Sequence, residues 1–203
     1  VRAPGAPALG GGTGTIGAVT TWIVIAVVVL VVLALILIYN GLVKARNRVD
    51  NSFAQIEVQQ KRRYDLVPNL VETVKGYAAH ERQTLEAVTA ARTSAITAQA
   101  QGSVGDQAQA ENVLTGALKS LFAVAEAYPD LKANQNFLNL QEELTATEDR
   151  IAYARQFFND SVLSYNNAIQ TFPRNVLAGM FRFGPREFFD AEPEAGQAPR
   201  VSF

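Results

Sequence analysis

Hydrophobic and polar positions divide the chain into three regimes. Residues 22–39 (WIVIAVVVLVVLALILIY) run without a charge, and widening the stretch to 16–39 adds only Gly, Thr, Ile, Ala and Val. A soluble helix has one wet face, whereas a helix in lipid must be apolar all round, and about 20 residues cross the hydrocarbon layer. Trp22 and Tyr39 sit at the two ends, where aromatic belts form. Residues 40–44 (NGLVK) read as an exit from the membrane and not as a cleavage site. The pattern predicts an uncleaved transmembrane helix over 16–43, with the lipid bilayer as its partner, after a loose segment at 1–15.

From Lys44 the pattern becomes amphipathic. Val49, Phe53, Ile56, Tyr64, Val67, Leu70, Val74, Leu85, Val88 and Ala91 recur at helical spacing, with charged and amide residues between them. Pro68 interrupts the run, but the apolar stripe stays in phase across it, which predicts a kink instead of a turn. Residues 99–106 (QAQGSVGD) are the first clear break, and Asp106 with Gln109 has capping-box spacing before a second helix at 107–127. A third helix is predicted over 136–171, with Phe137, Leu140, Leu144, Ile151, Ala154, Phe158, Val162, Tyr165 and Ile169 on its stripe. Thr147 or Glu148 falls on that stripe, so one layer is thin or polar. No segment alternates with period two. The expected fold is all-α: the transmembrane helix, then an antiparallel bundle of three long helices at 44–171, the first kinked or counted as two.

Residues 172–203 are different again. Phe181, Phe183, Phe188, Phe189 and Phe203 make this tail too aromatic for free chain. It is expected to pack on the bundle end, with Phe181, Phe183, Phe188 and Phe189 as the candidate membrane or partner contacts if it does not.

Charge narrows the function. A net charge of -1 leaves no basic excess for phosphates, so no nucleic-acid partner is expected. With no cysteine and one histidine, His80, neither a thiolate nor a His-rich metal cluster can be assembled, and Glu-x-x-His occurs nowhere. No catalytic residue, metal or cofactor is expected. Lys44, Arg46 and Arg48 follow the span while only Arg2 precedes it, which predicts the N-terminus outside and the bundle in the cytoplasm.

The strongest polar constellation surrounds Pro68. Arg62, Arg63, Asp65, Asn69 and Glu72, with Asp149 and Arg150 from the third helix, form a candidate interhelical or interaction cluster. A proline leaves a carbonyl without its helical donor, and Arg or Asn side chains can supply one.

These residues carry a resemblance. The run 58–81 (VQQKRRYDLVPNLVETVKGYAAHE) resembles the signature of the LemA family of bacterial membrane proteins. So do Glu111-Asn112, 128–133 (YPDLKA), 140–144 (LQEEL), 148–151 (EDRI), Phe172-Pro173 and 199–203 (PRVSF). The resemblance covers 40–203. It implies a single-pass anchor and a long-helix bundle, with relatives in magnetosome membranes, and implies no catalytic residues. The expected function is a membrane-anchored, non-enzymatic scaffold or adaptor with a protein partner or further copies of itself. The alternative is a small-ligand or metal-responsive module with a polar cavity near Arg62, Asp65, Asn69 and Arg150.

Overall fold

The computed structural model describes residues 13–189, and their side chains from residue 20. Of the loose segment expected at 1–15, residues 13–15 are instead the first residues of a helix, while residues 1–12, Phe203 and the 199–203 motif lie outside the described residues. Six helices follow one another without a strand among the described residues: α1 Thr13–Lys75, α2 Arg82–Gln101, α3 Val104–Ala125, α4 Pro129–Lys132, α5 Gln135–Gln170 and α6 Arg174–Met180. The all-α class and the long apolar helix leading into a bundle are as the sequence predicts.

The span and the first bundle arm are a single helix of 63 residues. The chain leaves the apolar stretch at Asn40-Gly41 without a break. Trp22 to Leu37 are exposed, with no part of the bundle laid against them, while Leu42 is fully buried. Burial therefore begins within one turn of Tyr39.

α1 also runs through Pro68. Proline has no amide hydrogen, so the carbonyl four residues back loses its helical donor. That carbonyl belongs to Tyr64, and Arg92 Nε of α2 donates to it at 2.7 Å. The expected repair of the proline site is present, supplied by an arginine the sequence did not single out. Arg92→Met leaves the carbonyl dry and is expected to lower stability by about 1–3 kcal/mol. A parallel Pro68→Ala/Arg92→Met variant, in which an amide again reaches the Tyr64 carbonyl, should recover most of the loss in thermal melts.

The helix ends at Gly76, not at the proline. Tyr77 and Ala78 both donate to the Val74 carbonyl, at 3.0 and 2.8 Å, and the chain resumes as α2 at Arg82. The first predicted helix is thus two helices. The division falls at 76–81, a segment the periodicity spans because Ala78 continues the buried stripe there. Among the described residues the bundle has four long helices, which are the three expected with the first counted as two.

The α2–α3 turn is only Gly102 and Ser103. A Cβ at Gly102 would stand 2.7 Å from the Ala98 carbonyl oxygen, so the close approach requires glycine. Ser103 caps α3 and accepts from Asp106 N at 3.2 Å, while Asp106 accepts from Ser103 N at 2.9 Å. The capping box is real but lies three residues earlier than the Asp106–Gln109 pair predicted. Those bonds hold the Asp106 carboxyl below its ordinary range. α5 starts from an Asn134 cap and buries all the predicted stripe except Leu140, which is half-buried.

Two apolar clusters fill the rod. The distal one contains Val67, Leu70, Val88, Leu114, Leu121 and Phe137. The proximal one contains Leu42, Val49, Ile56, Phe158, Val162, Tyr165, Leu177 and Phe189. α2 turns back before reaching the apolar stretch, so the base of the rod has only α1 and α5 as long elements. α6 and residues 183–189 supply the missing layer. The Phe172–Pro173 peptide bond that opens this segment is cis.

Candidate functional site

Between the two clusters the interior changes character. Gln60 and Arg63 of α1, Gln107 and Glu111 of α3, and Thr147 of α5 are all buried at one level. Each occupies a stripe position: Gln60 and Arg63 lie between Ile56 and Val67, and Glu111 lies one turn before Leu114. At 1.5 Å per residue this layer stands about 36 Å beyond Tyr39 along α1.

Arg63 is its centre, with no exposed surface. Its guanidinium forms ion pairs with Glu111, 1 % exposed, and with the rim residue Glu148. Nη1 also donates to Thr115 Oγ1 at 2.9 Å, and Thr115 in turn donates to Glu148 Oε1 at 3.2 Å. The Tyr64 hydroxyl donates to Glu111. Beside them Arg155 Nη1 donates to Asn112 Oδ1 at 3.3 Å, and Gln99 Nε2 reaches Gln60 Oε1 at 3.5 Å. Two cations, Arg63 and Arg155, stand with two anions, Glu111 and Glu148, so the layer is close to neutral.

Burial pushes the Arg63 guanidinium below its ordinary value, against the pull of Glu148. Burial likewise raises the Tyr64 hydroxyl to about 12, although the two arginines oppose it. The hydroxyl therefore stays protonated and keeps the hydrogen it donates to Glu111. The sign of the pH dependence follows. Folded Tyr64 titrates near 12 and free tyrosine at 10.0, so its stabilisation is complete below 10.0 and is lost as pH rises through about 12. Tyr64→Phe should melt lower at neutral pH, by about 1–3 kcal/mol, and should lose less stability than the native chain over that alkaline window. Melts across that range, read as the difference in slope between the two chains, test it.

The predicted cluster is dispersed. Of its seven members only Arg63 is buried in the layer, and Asp149 lines a pocket beside it with Thr115 and Glu148. Arg62 pairs with Glu143 at 3.6 Å and Asp65 with Lys61 at 3.4 Å, both on the outer surface. Asn69 and Glu72 are exposed. Asp149 and Arg150 line a groove of about 540 Å³ between α1 and α5, together with Gln55, Val58, Gln59 and Tyr153. Arg62, Asp65, Asn69 and Arg150 therefore do not converge on a cavity. Among the described residues, no three acidic or histidine side chains stand close enough to hold a metal ion.

Three of the layer's other members stand out in the sequence. Gln60, Glu111 and Thr147 are polar residues in phase with apolar stripes on three helices. Tyr64 fits the apolar stripe of α1, and Thr115 and Arg155 fall at ordinary surface spacing.

The tail divides. Phe189 is fully buried, tilted against Phe53 and edge-on to Phe158 at 6.5 Å, under the Arg155 guanidinium at 4.8 Å. Phe183 and Phe188 are half-buried against the proximal cluster. Phe181 remains exposed beside Tyr39, at 4.9 Å between ring centroids.

These features define a membrane-associated protein: one helix apolar and long enough to cross a bilayer, continuous with a bundle locked by a buried ionic layer. Its sequence places it more narrowly. The LemA family's sequence model matches residues 52–203, and the chain belongs to that family. It is 27 % identical to a MamQ magnetosome protein of Paramagnetospirillum magneticum over 94 % of this chain and 78 % of that protein. MamQ of Magnetospirillum gryphiswaldense is 27 % identical over 92 % of this chain and 77 % of its own length. Protein LemA of Metamycoplasma hominis is 30 % identical over 68 % of this chain and 63 % of its own.

Proposed function

We propose that the protein is a non-enzymatic scaffold of the cell membrane, with its N-terminus outside and its bundle in the cytoplasm, holding protein partners or further copies of itself at a fixed height above the lipid. One observation carries this reading: α1 passes from the span into the bundle without a joint, so a contact made on the rod keeps its position relative to the bilayer. A catalyst would instead need an accessible reacting centre. The buried layer is charge-matched, its tyrosine is locked as a donor, and its two carboxylates are occupied by Arg63. The three cations after the span, against Arg2 ahead of it, support the orientation.

The contact face we favour is the α1/α5 groove. Val58 and Tyr153 stand beside it, Tyr153 at 74 % exposure, with Asp149 and Arg150 on the rim. Aromatic and Arg side chains are the usual anchors of such interfaces. The test places photo-crosslinking residues at Val58 and Tyr153 in the full chain in its native membrane. Discrete adducts are expected at both, either at multiples of the chain's own mass or with one recurring protein. Their absence at both positions would sink the proposal.

A further inference from the structure

Most of the exposed apolar side chains outside the span are scattered, but one group is close together in sequence. Val176 and Met180, four apart on α6, are 57 and 69 % exposed, Phe181 follows the helix, and Phe172, in the turn just before it, is 79 % exposed. Soluble surfaces seldom carry so dense an apolar patch without a partner. The opposite side of α6 is fixed, because Leu177 and Ala178 are buried in the proximal cluster with Leu42. Arg182, in the left-handed conformation at φ 56°, reverses the chain and lets Phe183 N donate to the Ala178 carbonyl at 2.9 Å.

The position of this patch is set by Tyr39, the last residue of the apolar stretch. Its ring meets Phe181 at 4.9 Å and Phe183 at 5.9 Å. Ile38, one residue earlier, packs on the same cluster that holds α6. The exposed face of α6 is therefore level with the end of the span and continuous with its lipid-facing surface. The local charge suits phospholipid headgroups: no acidic residue occurs from 161 to 186, while Arg174, the first residue of α6, and Arg182, just past its end, are exposed. A short element with an apolar face, flanked by cations at this depth, fits the boundary between headgroups and acyl chains.

We infer that Phe172, Val176, Met180 and Phe181 form a second lipid contact, seated in the membrane interface beside the end of the span. The contact clasps the base of the bundle to the bilayer, so the rod is held at two points and cannot tilt freely about α1. The inference rests on the span being in the membrane.

The native chain has no cysteine, so single labels are unambiguous. Met180→Cys, Val176→Cys, Leu30→Cys and Ser120→Cys variants of the full chain are spin-labelled and reconstituted into vesicles of phosphatidylcholine and phosphatidylglycerol. Ser120 is exposed on α3 and gives the aqueous reference. Collision with oxygen and with a water-soluble nickel chelate is then compared. Labels at 176 and 180 are expected to favour oxygen severalfold over the label at 120, as the label at 30 does. Labels at 176 and 180 that match 120 while 30 remains in lipid overturn this inference alone. A nickel-accessible label at 30 overturns the span reading as well. Dipolar broadening at 180 that vanishes on dilution with unlabelled protein would make a second copy the occupant, and also overturns it.

Discussion

Replacing Arg63 by Met is expected to lower the melting temperature of the full chain in detergent by about 10 °C. The estimate comes from the charge left behind. Removing one partner of a buried ion pair costs roughly 3–5 kcal/mol, and a chain of this size loses about 2–4 °C per kcal/mol. Glu111 is 1 % exposed and would retain only the Tyr64 hydroxyl, while Glu148 lies at the rim and keeps Thr115. Adding Glu111→Gln should restore most of the loss. The neutral amide still accepts from Tyr64, and no charge is stranded. Thermal unfolding of the native chain, both single variants and the pair gives the coupling directly. If Arg63→Met costs no more than an exposed substitution, the layer does not hold a buried charge in the folded state. A double variant that regains stability yet aggregates or loses its sharp transition would point to register as what the ionic layer supplies.

The distinction between helix existence and helix partnership explains what the sequence made legible. Periodicity located the α5 stripe almost residue by residue, since burial of a helix face leaves a mark every three or four positions. The same signal continues across 76–81. Ala78 stays buried through the break, so the hydrophobic pattern does not record that the backbone has turned. Pro68 does orphan a carbonyl, and that carbonyl has a side-chain donor in Arg92. But neighbours in sequence around a proline point outward in several directions, which scattered Arg62, Asp65, Asn69 and Glu72 over the surface. The residues that do meet, Arg63, Glu111 and Glu148, are brought together by antiparallel packing from 48 and 85 positions away, and only the in-phase polar interruptions hint at it. Likewise, an aromatic tail was readable, but not that the base of the rod lacks a layer for it to fill.

Phe189→Ala is expected to release the tail from that base. The ring is fully buried, and truncating a buried Phe to Ala costs about 3–5 kcal/mol when the surroundings stay in place. Around it two asparagines of α5 bind the tail backbone as a strand partner would. Asn159 donates to the Phe189 carbonyl and accepts its amide, both at 2.8 Å. Asn166 does the same for Arg186, both at 2.9 Å. The Arg186 side chain adds a contact to Asp50 at 2.8 Å, and the Tyr165 hydroxyl donates to the Gly184 carbonyl at 3.0 Å. These bonds need the ring's burial, since an exposed backbone segment exchanges them for water at little net cost. The loss therefore divides into two regimes. If the tail can undock while the helices stay folded, the drop in melting temperature stops at the free energy of docking, and trypsin gains access to Arg182 and Arg186 in the otherwise folded protein. If it cannot, the full cost appears in the global transition and cleavage follows unfolding. Limited trypsinolysis beside a thermal melt separates the two, and the first outcome is expected because the tail touches only the proximal cluster. Unchanged cleavage together with an unchanged melt would mean that Phe189 is not the ring that fastens the tail.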